Sequence, residues 1–157
     1  MTQRMPTARR TIVRLALAGA ALPLSGGVFG SARAGILPPV VVWKEPSCGC
    51  CDGWVRHMRD AGFSVSVRET ESMAAVKRVR GVPDALASCH TAVVGFYVIE
   101  GHVPASDIQR LLAERTEAKG LAVPGMPQSA PGMDQPGEPY TVVLFGTSAG
   151  DRTYAQH

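Results

Sequence analysis

From Val40 to Lys44 the chain carries an almost unbroken apolar run, the pattern of a short buried β-strand. Glu45-Pro46-Ser47 breaks it with a turn. From Asp52 to Gly62 the spacing turns helical: Cys51, Trp54, Val55, Met58 and Gly62 share one face, while Arg56, Arg59 and Asp60 face water. Gly62 ends that helix, and Phe63 to Arg68 alternates as a second strand with Phe63, Val65 and Val67 on one side. Met73 to Arg80 predicts a second helix with Met73, Val76 and Val79 as its inward stripe, stopped by Gly81. Pro83 to Ser88 leaves room for one more short helical turn. Thr91–Val94 and Phe96–Glu100 are two apolar runs split by Gly95, a strand pair about a tight turn. Pro104 opens a third helix with Ile108, Leu111 and Leu112 inward. Gly120 to Pro139 is rich in Gly and Pro and predicts a long irregular loop, read as a cover over a site. Tyr140 to Phe145 is a last strand, with Thr153 to Ala155 as its pairing partner.

The order β-α-β-α-β-β-α defines an α/β class. A strand–helix–strand unit makes a parallel, right-handed crossover, and the hairpin and helix that follow complete a thioredoxin-like pattern, extended by the Pro/Gly/Met-rich loop and a C-terminal strand. In this arrangement the third strand runs antiparallel beside the first. Three distant segments then meet at one sheet edge: Cys48-Gly49-Cys50-Cys51, Ser88-Cys89-His90-Thr91 and Gly101-His102-Val103-Pro104. Between them they hold all four cysteines and two of the four histidines.

Charge divides the chain. Residues 1–34 contain five arginines and no acidic residue, with Arg9-Arg10 ahead of a weakly apolar Ala/Leu/Gly stretch and Ala32-Arg33-Ala34 as a small-x-small cleavage pattern. This is the form of a twin-arginine export signal, an ordinary secretory signal being the other reading. Residues 35–157 are then the folded domain. The net charge of +3 for the whole chain becomes −2 there, with 11 basic against 13 acidic residues, so nucleic-acid binding has no support. The apolar part of the leader is too short and too rich in Gly and Pro for a membrane span. Either signal would take the chain out of the cytoplasm.

The cysteines follow a strand and open a helix, where N–H groups and the helix dipole favour thiolate. Thiolates suit Cu(I) and zinc. Two separated C-x-x-C pairs, or a pair with H-x₃₋₅-H, would mark structural zinc, and that spacing is absent. Candidate metal ligands are Cys48, Cys50, Cys51, Cys89 and His102; a wider set adds His90, His57 and Met126. A soft metal is the expected occupant, Cu(I) in one or more ions or else zinc. His57 also fits a packed helix-face residue, Met126 and Met133 a covering role, Trp43 and Trp54 core and site wall, and His157 a solvated terminus. Disulfides are open to an exported chain: Cys48 and Cys51 have redox-pair spacing, and Cys89 could bridge to any of the three.

The run Cys48-Gly49-Cys50-Cys51, Trp54, His57-Met58 and Gly62-Phe63 resembles the CxCC, CopG-type family of exported copper-resistance proteins, much of it described only as a domain of unknown function. Gly81-Val82-Pro83, Ser88-Cys89-His90-Thr91-Ala92, Tyr97 through Pro104 and Gly120 through Pro127 resemble its further blocks. The resemblance implies a thioredoxin-like periplasmic protein that binds copper through cysteines, with redox activity as an extension and other periplasmic copper-handling proteins as partners. The rival function is a thiol-disulfide oxidoreductase, with Cys48 attacking and Cys51 resolving. Against a general one, Ser88-Cys89-His90 occupies the place before the third strand where thioredoxins carry a proline.

Overall fold

A computed structural model describes residues 2, 36–133 and 135–157. The expected export segment lies outside the described residues, apart from Thr2. Strand β1 (Val40–Lys44) leads to helix α1 (Gly49–Asp60), strand β2 (Val65–Glu69) and helix α2 (Met73–Arg80). A single 3₁₀ turn, Asp84–Leu86, precedes β3 (Thr91–Val94) and β4 (Tyr97–Glu100). Helix α3 (Ala105–Glu114), β5 (Gly120–Ala122), β6 (Thr141–Phe145) and β7 (Arg152–Gln156) complete the order.

The strands form one mixed sheet, β2-β1-β3-β4-β5-β6-β7. β1 and β2 are parallel, as are β4 and β5; every other pairing is antiparallel. Trp43 sits opposite Thr91 and Thr91 opposite Glu100, so the end of β1, the start of β3 and the end of β4 share one edge. The core gathers Val40 and Val42 of β1, Trp54 and Met58 of α1, Ile99 of β4 and Ile108 of α3, all fully buried.

Three expectations change. Gly120–Ala122, taken as loop, is a fully buried strand between β4 and β6. A side chain at Gly120 would run into the Val98 carbonyl, so glycine is what permits the close approach. Phe96 belongs to the turn rather than to β4; it is fully exposed beside Gly95, whose positive φ closes the two-residue hairpin. On α2 only Met73 is buried and Val79 is exposed. Six residues at 3.6 per turn put Val79 about 240° round from Met73, and the inward place falls to Lys77. Lys44, the last residue of the expected buried strand, is 2 % exposed, in agreement with that reading.

Candidate metal centre

Lys44 explains how the first cysteine segment is held. Its ammonium donates to the Glu45 and Pro46 carbonyls at 3.2 and 3.3 Å and pairs with Asp52 at 3.1 Å. The turn and the first turn of α1 are thus tied to the end of β1. Cys48 caps α1 and forms a disulfide with Cys51, one of the pairings open to the sequence. Cys51 is fully buried, whereas Cys50 is a half-buried free thiol with its Sγ 3.6 Å from that of Cys48.

The second segment precedes β3. Cys89 places its Sγ 3.0 Å from His102 Nε2 and 3.3 Å from His90 Nδ1. His90 and Cys89 both face the cluster because Ser88–His90 has not yet entered the strand, where neighbours would point to opposite faces. His102 Nδ1 lies 2.7 Å from the Pro131 carbonyl, which can only accept. The ring therefore carries its proton on Nδ1 and turns the Nε2 lone pair toward the sulfur, the arrangement metal-binding histidines use. His90 packs against Trp54, ring centroids 4.5 Å apart, and edge-on to His102 at 4.9 Å. Trp54 is pinned in turn by a 2.8 Å hydrogen bond to the Val103 carbonyl.

Burial sets the proton inventory. It pushes the Cys89 thiol up to about 12, with the Cys50 sulfur adding to the effect. It holds His90 well below its ordinary 6.5, aided by His102 and Lys77, and lowers His102 against the opposing pull of the Pro131 carbonyl. Without metal, the pocket stores a neutral thiol and two neutral imidazoles, and a cation binding there displaces the thiol proton.

Ligand atoms of Cys48, Cys50, Cys51 and Cys89 all lie within 4.8 Å of one another, and so do those of Cys89, His90 and His102. Sulfur and imidazole are soft and borderline donors, so the set fits copper or zinc. His57 is not brought to this cluster. Its Nε2 accepts the Ala105 N–H at 3.0 Å, at the start of α3. Replacing it by alanine leaves that donor without its partner. We expect His57→Ala to lose about 1 kcal/mol of stability in urea denaturation and to keep the copper uptake of the parent chain. Met126 is exposed, one residue past the Ser88–Gly125 bridge, and Met133 is half-buried. His157 is exposed at the terminus, as expected, with its ring 2.7 Å from Asp107 and stacked on Tyr140.

Two further features support the site. Glu100, fully buried, pairs with Lys77, accepts the Ser88 N–H at 2.7 Å and accepts the Thr91 hydroxyl at 2.6 Å. It fixes both ends of the Cys89-His90 segment. A charge of each sign on positions where α2 and β4 should be apolar was the available signal. The other support is the loop around Pro131. Gly132, at φ +86°, lies against the backbone of Gly53 and Trp54, and a side chain there would strike both. Gly132→Ala should lift this loop, withdraw the Pro131 carbonyl from His102 and cost about 1–3 kcal/mol of stability in denaturant titration.

Four sulfurs and two imidazoles at one edge of a mixed α/β sheet define a protein with a site able to hold a soft metal ion. Residues 86–133 match the family described as "Protein of unknown function, DUF411". Two solved structures of a copper resistance protein CopG, described as form 1 and form 2, each superpose with a TM-score of 0.71 at 40% sequence identity, covering 76% of this chain and 98% of theirs. The chain belongs to the CopG family of copper resistance proteins. No curated protein matches it. No helix among the described residues is long and apolar enough to cross a membrane.

Proposed function

We propose that the chain is a periplasmic copper-binding protein that holds Cu(I) in its cysteine cluster and contributes to copper tolerance. The observation that carries this reading is the convergence of Cys48, Cys50, Cys51 and Cys89 within 4.8 Å, drawn from two segments that the sheet brings together. His102 adds an imidazole with its tautomer already set. Likeness to a copper resistance protein supports copper over zinc, and the Arg-rich leader supports export. The parallel β1-α1-β2 unit with a C-x-x-C pair at the start of α1 supports a thioredoxin-like frame. Closing and opening the Cys48–Cys51 bridge gives the site a redox side, since it withdraws two thiolates and returns them.

The test is direct. The protein is reduced, freed of reductant and titrated anaerobically with Cu(I), and copper per chain is measured after desalting. Stable uptake, sharply lower in the disulfide form, is the expected result; no uptake by the reduced protein sinks the reading. The Cys48–Cys51 disulfide favours one second reading, a thiol-disulfide oxidoreductase. Reduction of insulin disulfides without copper uptake would establish it. The thiol of Cys89 among the α1 sulfurs argues against it, because it competes with a substrate thiol for the same space.

A further inference from the structure

The end of the sheet away from the cysteines breaks two local rules at once. β3 starts at Thr91, next to the Cys89-His90 segment, and finishes at Val94, about 10 Å further on at the usual strand rise. The hairpin that follows has Gly95 at positive φ in its first central position, a turn whose second position is ordinarily Asn, Asp or Ser. Here that second residue is Phe96, fully exposed. Helix α3 ends on Arg115 at φ 52°, a left-handed cap that glycine or asparagine fills with less strain. Neither residue suits the turn or helix end in which it stands, and both border one apolar hollow.

That hollow, about 410 Å³ in volume, is lined by Pro38, Gly95, Tyr97 and Leu112 besides Phe96 and Arg115. It is already formed. The Tyr97 hydroxyl donates to the Thr116 carbonyl at 2.9 Å, and the Arg115 N–H donates to the Leu111 carbonyl at 3.0 Å. Leu112 and Pro38 lie close to the turn, 3.8 and 3.9 Å from where a Gly95 side chain would begin.

We propose that the occupant is a second copy of this chain: two chains pair about a two-fold axis, each inserting Phe96 into the hollow of the other. A two-fold interface uses the same patch on both copies, so knob and hollow must share one surface. This face carries both. Charge is complementary as well. Arg115 at the rim meets the electron-rich face of the incoming ring, and the net charge of −2 on residues 35–157 opposes approach only weakly. Area sets the strength. An aromatic side chain buries about 150–250 Å², so one knob and one lining stay below the roughly 800 Å² per partner of a lasting dimer. The pair is therefore reversible, with a dissociation constant on the order of 100 µM. Pairing at this end leaves both metal centres open.

The test is sedimentation velocity of the full chain, from about tenfold below to about tenfold above that constant. Reductant is present, so that Cys50 and Cys89 form no bridge between chains. The wild type should shift from monomer toward dimer as concentration rises. Phe96→Asp alters a fully exposed side chain and should weaken association at least about 30-fold, the effect of losing an interface hot spot. Arg115→Gly separates pairing from folding. It relieves the left-handed cap, so the urea midpoint should hold or rise while association weakens about two- to fivefold. A wild type that stays monomeric throughout overturns the proposal, and so does a dimer that Phe96→Asp leaves intact. Vesicles of phosphatidylglycerol and phosphatidylethanolamine test the other occupant open to an exposed apolar knob. A monomeric chain that sediments with them, and ceases to in Phe96→Asp, assigns the face to a lipid surface instead.

Discussion

Cys89→Ser is expected to lower the Cu(I) affinity of the reduced protein by at least about 100-fold, the upper range for losing even an outer-shell partner of a metal site. Cys89 is the one residue common to both ligand groups, so no other single change removes a donor from each. Serine keeps the size of the side chain but offers a hard hydroxyl that does not ionise in the working range, and Cu(I) gains little from it. The fold should tolerate the change. Cys89 is only partly buried, and its segment is held by the Glu100 carboxylate and the Gly125–Ala87 and Gly101–His90 backbone hydrogen bonds rather than by the thiol. Competition against a Cu(I) chelator reads the affinity, and a melting curve within a few degrees of the parent shows that the fold is intact. If affinity stays within threefold, the α1 sulfurs hold the metal alone and Cys89 has only a packing role. His57→Ala serves as the contrast, because it disturbs the contact of α1 with α3 and His57 belongs to neither ligand group.

The meeting of Cys89 with the α1 cysteines, and of His102 with Cys89, was legible in the sequence, because it needs only strand order. Once β3 lies antiparallel beside β1, the residues before β3 and after β4 arrive where β1 ends. Periodicity was less informative where elements are short. A three-residue strand such as Gly120–Ala122 contains too few positions to show alternation, and its surroundings of Gly and Pro pointed to loop. The eight-residue α2 failed differently: counting every third residue followed Met73, Val76 and Val79 off the buried face and past Lys77. The irregular backbone after Ala122 was legible in its Gly and Pro content. That a single carbonyl of Pro131 would set the tautomer of His102 was not, since hydrogen bonds from irregular backbone leave no periodic trace.

Lys77 is where the largest effect on stability is expected. Its ammonium, 15% exposed, pairs with Glu100, whose carboxylate is fully buried, and also donates to Thr91 at 3.3 Å. Lys77→Met fills similar space but strands the carboxylate. Removing one partner of a buried pair costs about 3–5 kcal/mol, far more than the pair contributes against apolar replacements. The remaining ligands of Glu100, the Ser88 N–H and the Thr91 hydroxyl, then share the burden of a buried charge, and the segment carrying Cys89 and His90 should loosen with them. Urea denaturation should show the midpoint falling at unchanged slope, and Cu(I) affinity should fall with it although no ligand has been altered. The double variant Lys77→Met/Glu100→Gln removes both charges, while the amide oxygen can still accept from Ser88. It should recover most of the stability and most of the affinity. A loss below about 1 kcal/mol in the single variant, in the range of an exposed ion pair, would mean that water reaches the pair and that the cysteine segment is held from elsewhere. Failure of the double variant to recover would place the role of Lys77 in packing α2 on β1 and β3 rather than in neutralising Glu100.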